Sequence, residues 1–432
     1  MASAAQRRAD WARDEDIAAF AVLDRRLSAV STAPIGVAFS GGGDSLMALK
    51  ATKAWADRHG RSVIALHVDH RLQSASAGWA SAARQAADRL EVRFLALSWD
   101  GAKPSTGLAA AAREARHRLI ADAARRAGVR ALVIGHTADD QIEAELMRAA
   151  GHRMGDLRAW SPSPVWPEGR GLFHVRPLLG LRRTDIRERL AAEGETWIDD
   201  PMNQDLRSPR ARARLDAALM DAAPIDGARP SADDAGLSQL AANALVGEGG
   251  DIHIDRKVLR AAPRALVRRL VGAAAVCAGG QARPTRGDRL DALADRLCGG
   301  EPIAATLSGA KVLASIEVVF ARDAGEASRG GLAPLDLGAG QTGVWDGRFE
   351  ITAHEPAIVT RLAGNAAGLD SRQTAQLKTL PASVRPGLPV MVASDGQRLC
   401  PILAKGERFE VRLLVAERLA AACGVISKEP AT

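Results

Sequence analysis

Along this chain the apolar residues gather in short, nearly unbroken runs, separated by longer stretches in which they recur every three or four positions. Ile35 to Phe39, Ser62 to Val68, Val92 to Leu97 and Arg130 to Ile134 are the short runs. A strand covered on both faces of a parallel sheet has this pattern, with no polar alternation. The stretches between them, from Leu46 onward, from about Ala75 to Leu90 and from Leu108 to Ala127, are alanine-rich and predict helices. Strands alternating with helices of this length predict an α/β architecture, a doubly wound parallel sheet. Ligands of such sheets sit at the carboxyl ends of the strands. Ser40 to Ser45, Asp69 with His70, and His136 to Asp140 all fall there.

After Arg214 the alternation stops. Leu215 to Met220, Leu237 to Leu245, Lys257 to Val276 and Thr285 to Leu297 predict helices, with a short β element around Ala305 to Ala321. From Gly331 glycine and proline increase, and Gly343 to His354 and Leu388 to Val392 predict short strands. Three domains are therefore expected: 1–215 with the parallel sheet, 216–330 mainly helical, and 331–432 small and mixed. The segment from Gly151 to Gly171, with Pro162, Pro164 and Pro167, is expected to be too irregular for the sheet.

The first strand leads into Ser40-Gly41-Gly42-Gly43-Asp44-Ser45 and then a helix. Three glycines let backbone N–H groups approach a ligand, and the helix start adds a positive dipole end. Such a loop holds phosphate. It has neither the Gly-Lys-Ser/Thr of a Walker loop nor the spacing of a dinucleotide fingerprint. The bland alternative is a glycine-rich turn that binds nothing. The six residues resemble the signature of the PP-loop ATP pyrophosphatases, which cleave ATP between its α and β phosphates. That resemblance implies ATP and Mg²⁺ as cofactors, with Ser40, Gly41, Gly42, Gly43 and Ser45 around the pyrophosphate and Asp44 on the metal.

A closer resemblance is carried by His67-Val68-Asp69-His70-Arg71-Leu72, Ala112-Arg113-Glu114-Ala115-Arg116, Gly135-His136-Thr137-Ala138-Asp139-Asp140-Gln141-Ile142-Glu143 and Arg176-Pro177-Leu178-Leu179, followed by Trp197 to Asn203. In this order they resemble the tRNA(Ile)-lysidine synthetase family. Gln73, His117, Thr137 and Ala144 depart from its pattern at flanking positions. The resemblance implies an ATP-consuming ligase that joins L-lysine to C2 of the wobble cytidine in the CAU anticodon of tRNA(Ile). It implies Asp44, Arg113, Asp139 and Glu143 as catalytic residues, and His67, Asp69, His70 and His136 beside the nucleotide. On it, 1–215 is the catalytic domain and 216–330 a tRNA-binding one, and a homodimer is compatible with it.

Taken on their own, Asp139, Asp140 and Glu143 could be ordinary helix N-terminal charge; beside a phosphate loop they could equally hold Mg²⁺ or the ammonium groups of lysine. The histidines are structural or phosphate-binding. Arg113 and Arg116 share a helix face, either solvated or facing a ligand. The arginines at 207, 210, 212 and 214 are dense enough to suggest phosphate contacts.

Among 432 residues, 47% apolar and 25% charged is ordinary for a globular chain, and +7 with a pI near 9.7 favours a polyanionic partner. No apolar run approaches the roughly 20 residues of a membrane span, and the charged N-terminus lacks a signal-peptide core, so no membrane partner and a cytoplasmic location are expected. Cys277, Cys298, Cys400 and Cys423 are widely spaced, without a zinc or disulfide pattern. Two rival functions are considered: another PP-loop tRNA-modifying enzyme, such as a thiolase, which would need a cysteine or iron–sulfur cluster near ATP, and a non-catalytic nucleotide-dependent RNA binder.

Overall fold

The computed structural model describes residues 14–73, 76–152, 155, 157–199, 212, 213, 216, 232–283, 287–404 and 407–430. Its contacts form two compact units, Met1–Pro230 with Ile426–Thr432, and Ser231–Val425.

The first unit contains α1 (Asp14–Arg26), β1 (Ile35–Ala38), α2 (Gly43–Arg58), β2 (Val63–Asp69), α3 (Ser76–Arg89), β3 (Arg93–Ser98), α4 (Leu108–Arg126), β4 (Ala131–Ile134), α5 (Ala138–Ala149), β5 (Trp160–Pro162), β6 (Phe173–Val175) and α6 (Arg183–Ala192). The sheet order is β3-β2-β1-β4-β6-β5. β1 lies parallel to β2 on one side and β4 on the other, with Val37 opposite Ala65 and Val133. Ile35 and Val37 are wholly buried, which explains the unbroken apolar run. The chain leaves β1 in one direction and returns to β4 in the other. Between the ends of β1 and β4 therefore lies the crevice where doubly wound sheets bind ligands.

Within the segment expected to be irregular, Trp160–Pro162 joins the sheet, antiparallel to β6. Trp160 stacks on Phe173 at 4.7 Å and 8°, and an edge strand tolerates Pro162 because its outer side needs no donor. The chain's last residues also belong to this unit. Glu429 accepts two hydrogen bonds from Arg61, at 2.7 and 2.8 Å, with both side chains buried. Arg61 also donates to the carbonyls of Ser28 and Ala33.

In the second unit, α7 (Ala232–Ala241), β7 (Ala244–Val246), β8 (Ile252–Asp255), α8 (Arg256–Ala261), α9 (Arg264–Ala278), α10 (Asp288–Cys298), β9 (Ile303–Leu307), β10 (Ala310–Ala314) and β11 (Glu317–Arg322) share one core. The strands form an antiparallel sheet, β7-β8-β11-β10-β9. The helix expected from Lys257 to Val276 is two helices. Pro263 cannot donate into a continuous ladder, and Ala262 before it is extended. The helix expected to reach Leu245 stops at Ala241, and Ala244–Val246 pairs with β8.

Further along are β12 (Leu335–Leu337), β13 (Gln341–Trp345), β14 (Phe349–Ala353), β15 (Ala357–Arg361), α11 (Ser371–Leu377), β16 (Pro389–Ala393), β17 (Arg398–Leu399), β18 (Phe409–Leu413) and α12 (Val415–Ala422). They form two small sheets, β12-β15-β16-β17 and β13-β14-β18. Asp346 joins this part to the preceding one. It accepts from Arg322 at 2.6 and 2.8 Å and from Arg348 at 2.8 Å, and all three side chains are buried. Among the described residues no helix is long and apolar enough to cross a membrane.

Candidate active site

The loop after β1 is fixed from within. Gly41 has φ +87°, in the left-handed region, where any side chain would be strained and its Cβ would also displace the tip of Ile198, 2.5 Å away. Ser45 Oγ donates to the Gly42 carbonyl at 2.8 Å, lies 3.0 Å from Ser40 Oγ and accepts from the Ser40 N–H. The Ile198 N–H donates to the Gly41 carbonyl at 2.9 Å, which lays Trp197 and Ile198 against the loop. No side chain caps α2 at Gly42, so its first N–H groups remain available to an anion.

Gly135 ends β4 against the first turn of α2: a Cβ there would lie 2.7 Å from the Asp44 carbonyl oxygen. This close approach brings the start of α5 beside the loop. Asp140 Oδ2 accepts from the Thr137 N–H at 2.9 Å and caps α5. Arg113 from α4 and His136, Asp140, Glu143, Ala144 and Met147 line one cavity with Gly155 and Leu157. Of the expected catalytic residues, Arg113 and Glu143 meet there. Asp139 is not among the lining residues. Its oxygens take the Arg183 backbone N–H at 2.7 Å and Arg182 Nη2 at 3.1 Å, anchoring the start of α6.

Arg183 connects the carboxylates. Its Nε donates to Asp44 Oδ2 at 3.0 Å and its Nη1 to Glu143 Oε1 at 3.1 Å, while Nη2 lies 3.5 Å from Asp140 Oδ2. Burial alone would lower the pKa of this guanidinium; Asp140, Asp44 and Glu143 outweigh it and raise it. Burial raises the Asp44 carboxyl above its usual range, and Arg183 opposes that rise.

On the other wall Arg176 Nε donates to His136 Nδ1 at 3.0 Å, and Arg176 also holds Ser161 Oγ and the Arg158 carbonyl. Arginine only donates, so His136 Nδ1 accepts and a neutral ring carries its proton on Nε2. His117 and His174 stack at 6.0 Å. Burial, then Arg113, Arg116 and Arg176, push His117 down to about 3; burial and Arg176 hold His174 well below its usual value. Both rings are neutral in a strongly positive wall.

The residues at the end of β2 are placed differently. His67 is buried, donates from Nδ1 to the Phe39 carbonyl at 2.9 Å and stacks on Phe94. Asp69 Oδ1 accepts the Arg71 N–H at 2.8 Å, and His70 meets the Trp99 ring edge-on. None of the three lines the cavity; His67 supports the phosphate loop from behind through Phe39.

Sequence reasoning missed Arg183. The available signal was Arg182-Arg183 at a helix start, where the dipole disfavours cations and some acid must compensate. The 207, 210 and 214 positions and residues 200–203 lie outside the described residues, and Arg212 is exposed.

A doubly wound sheet with a glycine-serine loop at its switch point and a carboxylate-lined cavity beside it defines a nucleotide-using α/β enzyme domain. The PP-loop domain family matches residues 19–221. Over 419 residues, 95% of this chain and 98% of the relative, the chain is 46% identical to a tRNA(Ile)-lysidine synthase of Caulobacter vibrioides. It is 36% identical to one of Hyphomonas neptunium, over 65% of this chain and 79% of that one. With one of Rhizobium meliloti it shares 34% over 85% and 82%. The chain belongs to the tRNA(Ile)-lysidine synthase family.

Proposed function

We propose that this chain ligates L-lysine to C2 of the wobble cytidine of tRNA(Ile) with a CAU anticodon, converting ATP to AMP and pyrophosphate. The observation that carries the reading is the junction of the phosphate loop with a carboxylate-lined cavity, through the contact of Gly135 with the first turn of α2. A nucleotide and an amine would meet there.

In this mechanism the loop N–H groups and the start of α2 bind the phosphates of ATP. Asp44 fits magnesium, since it is a desolvated carboxylate at the anion end of a helix. Among the described residues no group of three or more histidine, cysteine or acidic side chains could hold a metal alone. That suits an ion bound through one carboxylate and phosphate oxygens, where it would neutralise the departing pyrophosphate. The cytidine C2 oxygen attacks the α phosphorus and pyrophosphate leaves; the lysine ε-amine then forms the C2–N bond and AMP departs with the former C2 oxygen. The ammonium must first lose a proton. His136, protonated on Nε2 when neutral, is a donor at that atom and cannot accept there. In this reading the acceptor is a cavity carboxylate, Asp140 or Glu143.

Glu143 and Asp140 recognise the ammonium of lysine, with Asp139 acting on them through Arg183, whose backbone N–H it holds. Arg113 and the positive wall face the RNA, and the target base is splayed out of its loop to reach them. The excess of arginine over aromatic residues favours phosphate contacts over stacking. In this reading residues 1–215 are the catalytic domain, 216–330 hold tRNA, and 331–432 form a small third domain whose last residues, from Ile426, return to the first unit. A substrate tRNA implies work in the cytoplasm. All four cysteines lie in the second unit, which disfavours a thiolase; Cys277 and Cys400 are pushed up to about 11 and Cys423 to about 12 by burial, as expected of inert thiols. The test is pyrophosphate release with tRNA and each amino acid in turn. Because adenylation precedes the lysine step, one equivalent of pyrophosphate is expected from tRNA(Ile) and ATP alone; release over many turnovers that requires lysine together with tRNA(Ile) supports the proposal, and sustained release that lysine does not alter rejects it.

A further inference from the structure

Three helices begin within reach of one guanidinium. Asp44 is on the first turn of α2, Asp140 and Glu143 are one turn apart on α5, and Arg183 opens α6 with its own N–H held by Asp139. Each of the three guanidinium nitrogens is given to a different acid, Nε to Asp44, Nη1 to Glu143 and Nη2 to Asp140. The Arg183 side chain is 13% exposed and that of Glu143 1%, so little solvent screens these contacts. The planar fork matters here, because a lysine ammonium carries its three rotatable donors on a single nitrogen and cannot span three acids that each meet a different guanidinium nitrogen.

We infer that Arg183 is a positioning residue that couples the nucleotide subsite to the amino-acid subsite. This rests on the proposed roles of Asp44 and Glu143. One positive charge is divided among the acid that faces the phosphates and the two that face the amine. Any ligand that takes Asp44 changes the share of Arg183 left to Asp140 and Glu143, and the affinity for lysine changes with it. By linkage the same factor acts in reverse, from lysine to nucleotide.

The experiment is calorimetry of lysine binding to the full chain, with and without magnesium and an ATP analogue bearing a methylene bridge between the α and β phosphorus. The two lysine affinities of the unaltered chain should differ by about fivefold or more, the lower end of ordinary site coupling. Arg183→Lys keeps a cation on the helix and should bring the ratio to within about twofold, the scatter of independent sites. Arg183→Gln is the second variant, and thermal melts of both report whether the fold is retained. A ratio kept by either folded variant, or a ratio of one in the unaltered chain, overturns the inference. Glu143→Gln separates the two levels. If it leaves lysine affinity unchanged, the subsite assignment itself fails; if it weakens lysine while Arg183→Lys keeps the ratio, only the coupling fails.

Discussion

Arg183 in the first unit and the pair Arg322 and Arg348 in the second are all shielded from water, but their partners differ in kind. Arg322 and Arg348 share one acid, Asp346, and their remaining donors go to the carbonyls of Gly309, Gly249 and Gly387. Their bonds tie loops together. Arg183 gives its side chain to carboxylates alone, three of them on two other helices. The structural pair is tied to backbone carbonyls that cannot leave, whereas the acids around Arg183 are side chains that, on the proposed reading, an incoming cation can claim. Buried charge alone therefore does not identify a site.

The comparison is tested most severely on its structural side. Asp346→Ala leaves two buried guanidinium groups without their acid and should destabilise the second unit by about 3 to 5 kcal/mol, read as a shift of its denaturant midpoint; a change under about 1 kcal/mol would show the network to be dispensable. Glu429→Ala strands Arg61 in the same way in the first unit, with a loss of similar size. In the site the order reverses. Asp44→Ala should lower AMP formation by about 10² to 10³, the order of the cost of removing one preorganised electrostatic stabiliser of a transition state, while the melting temperature barely moves.

Glu143→Gln should raise the KM for lysine by about tenfold or more, the loss of one charge-assisted contact, and change ATP binding less. Lost nucleotide binding at an unchanged KM for lysine would move Glu143 to the metal side.

The smallest effect is a pH dependence. His117 is held down to about 3 in the folded protein, against 6.5 as its ordinary value. Between those values the unfolded chain binds the extra proton, so stability falls as pH drops from about 6.5. His117→Gln should flatten that fall in melts taken between pH 7 and 5, and identical slopes would contradict the assignment.

The phosphate loop and the strands that carry it were legible because their signals are local: an apolar run, three glycines, a serine at each end. Glu143 and His136 were legible from their place after β4. Arg183 was not, because its meaning depends on Asp44, 139 residues away in sequence. Nor was Glu429, which finds Arg61 across 368 positions. The break at Pro263 was written in the sequence, but the apolar pattern of Lys257 to Val276 continues across it. Asp139 and Asp140 are adjacent and chemically equal, and only the direction each takes from α5 separates the anchor of α6 from the cavity wall.

The central claim is that the carboxylate side of this cavity serves lysine and the loop serves ATP in a single reaction on tRNA. Mass spectrometry of the anticodon fragment, after incubating the full chain with ATP, lysine and unmodified tRNA(Ile), tests it directly. The account predicts that the wobble cytidine gains one lysine less one water, and that Asp44→Ala and Glu143→Gln both suppress the gain. An unchanged cytidine alongside continued ATP cleavage, or a gain at any other nucleotide, would contradict it.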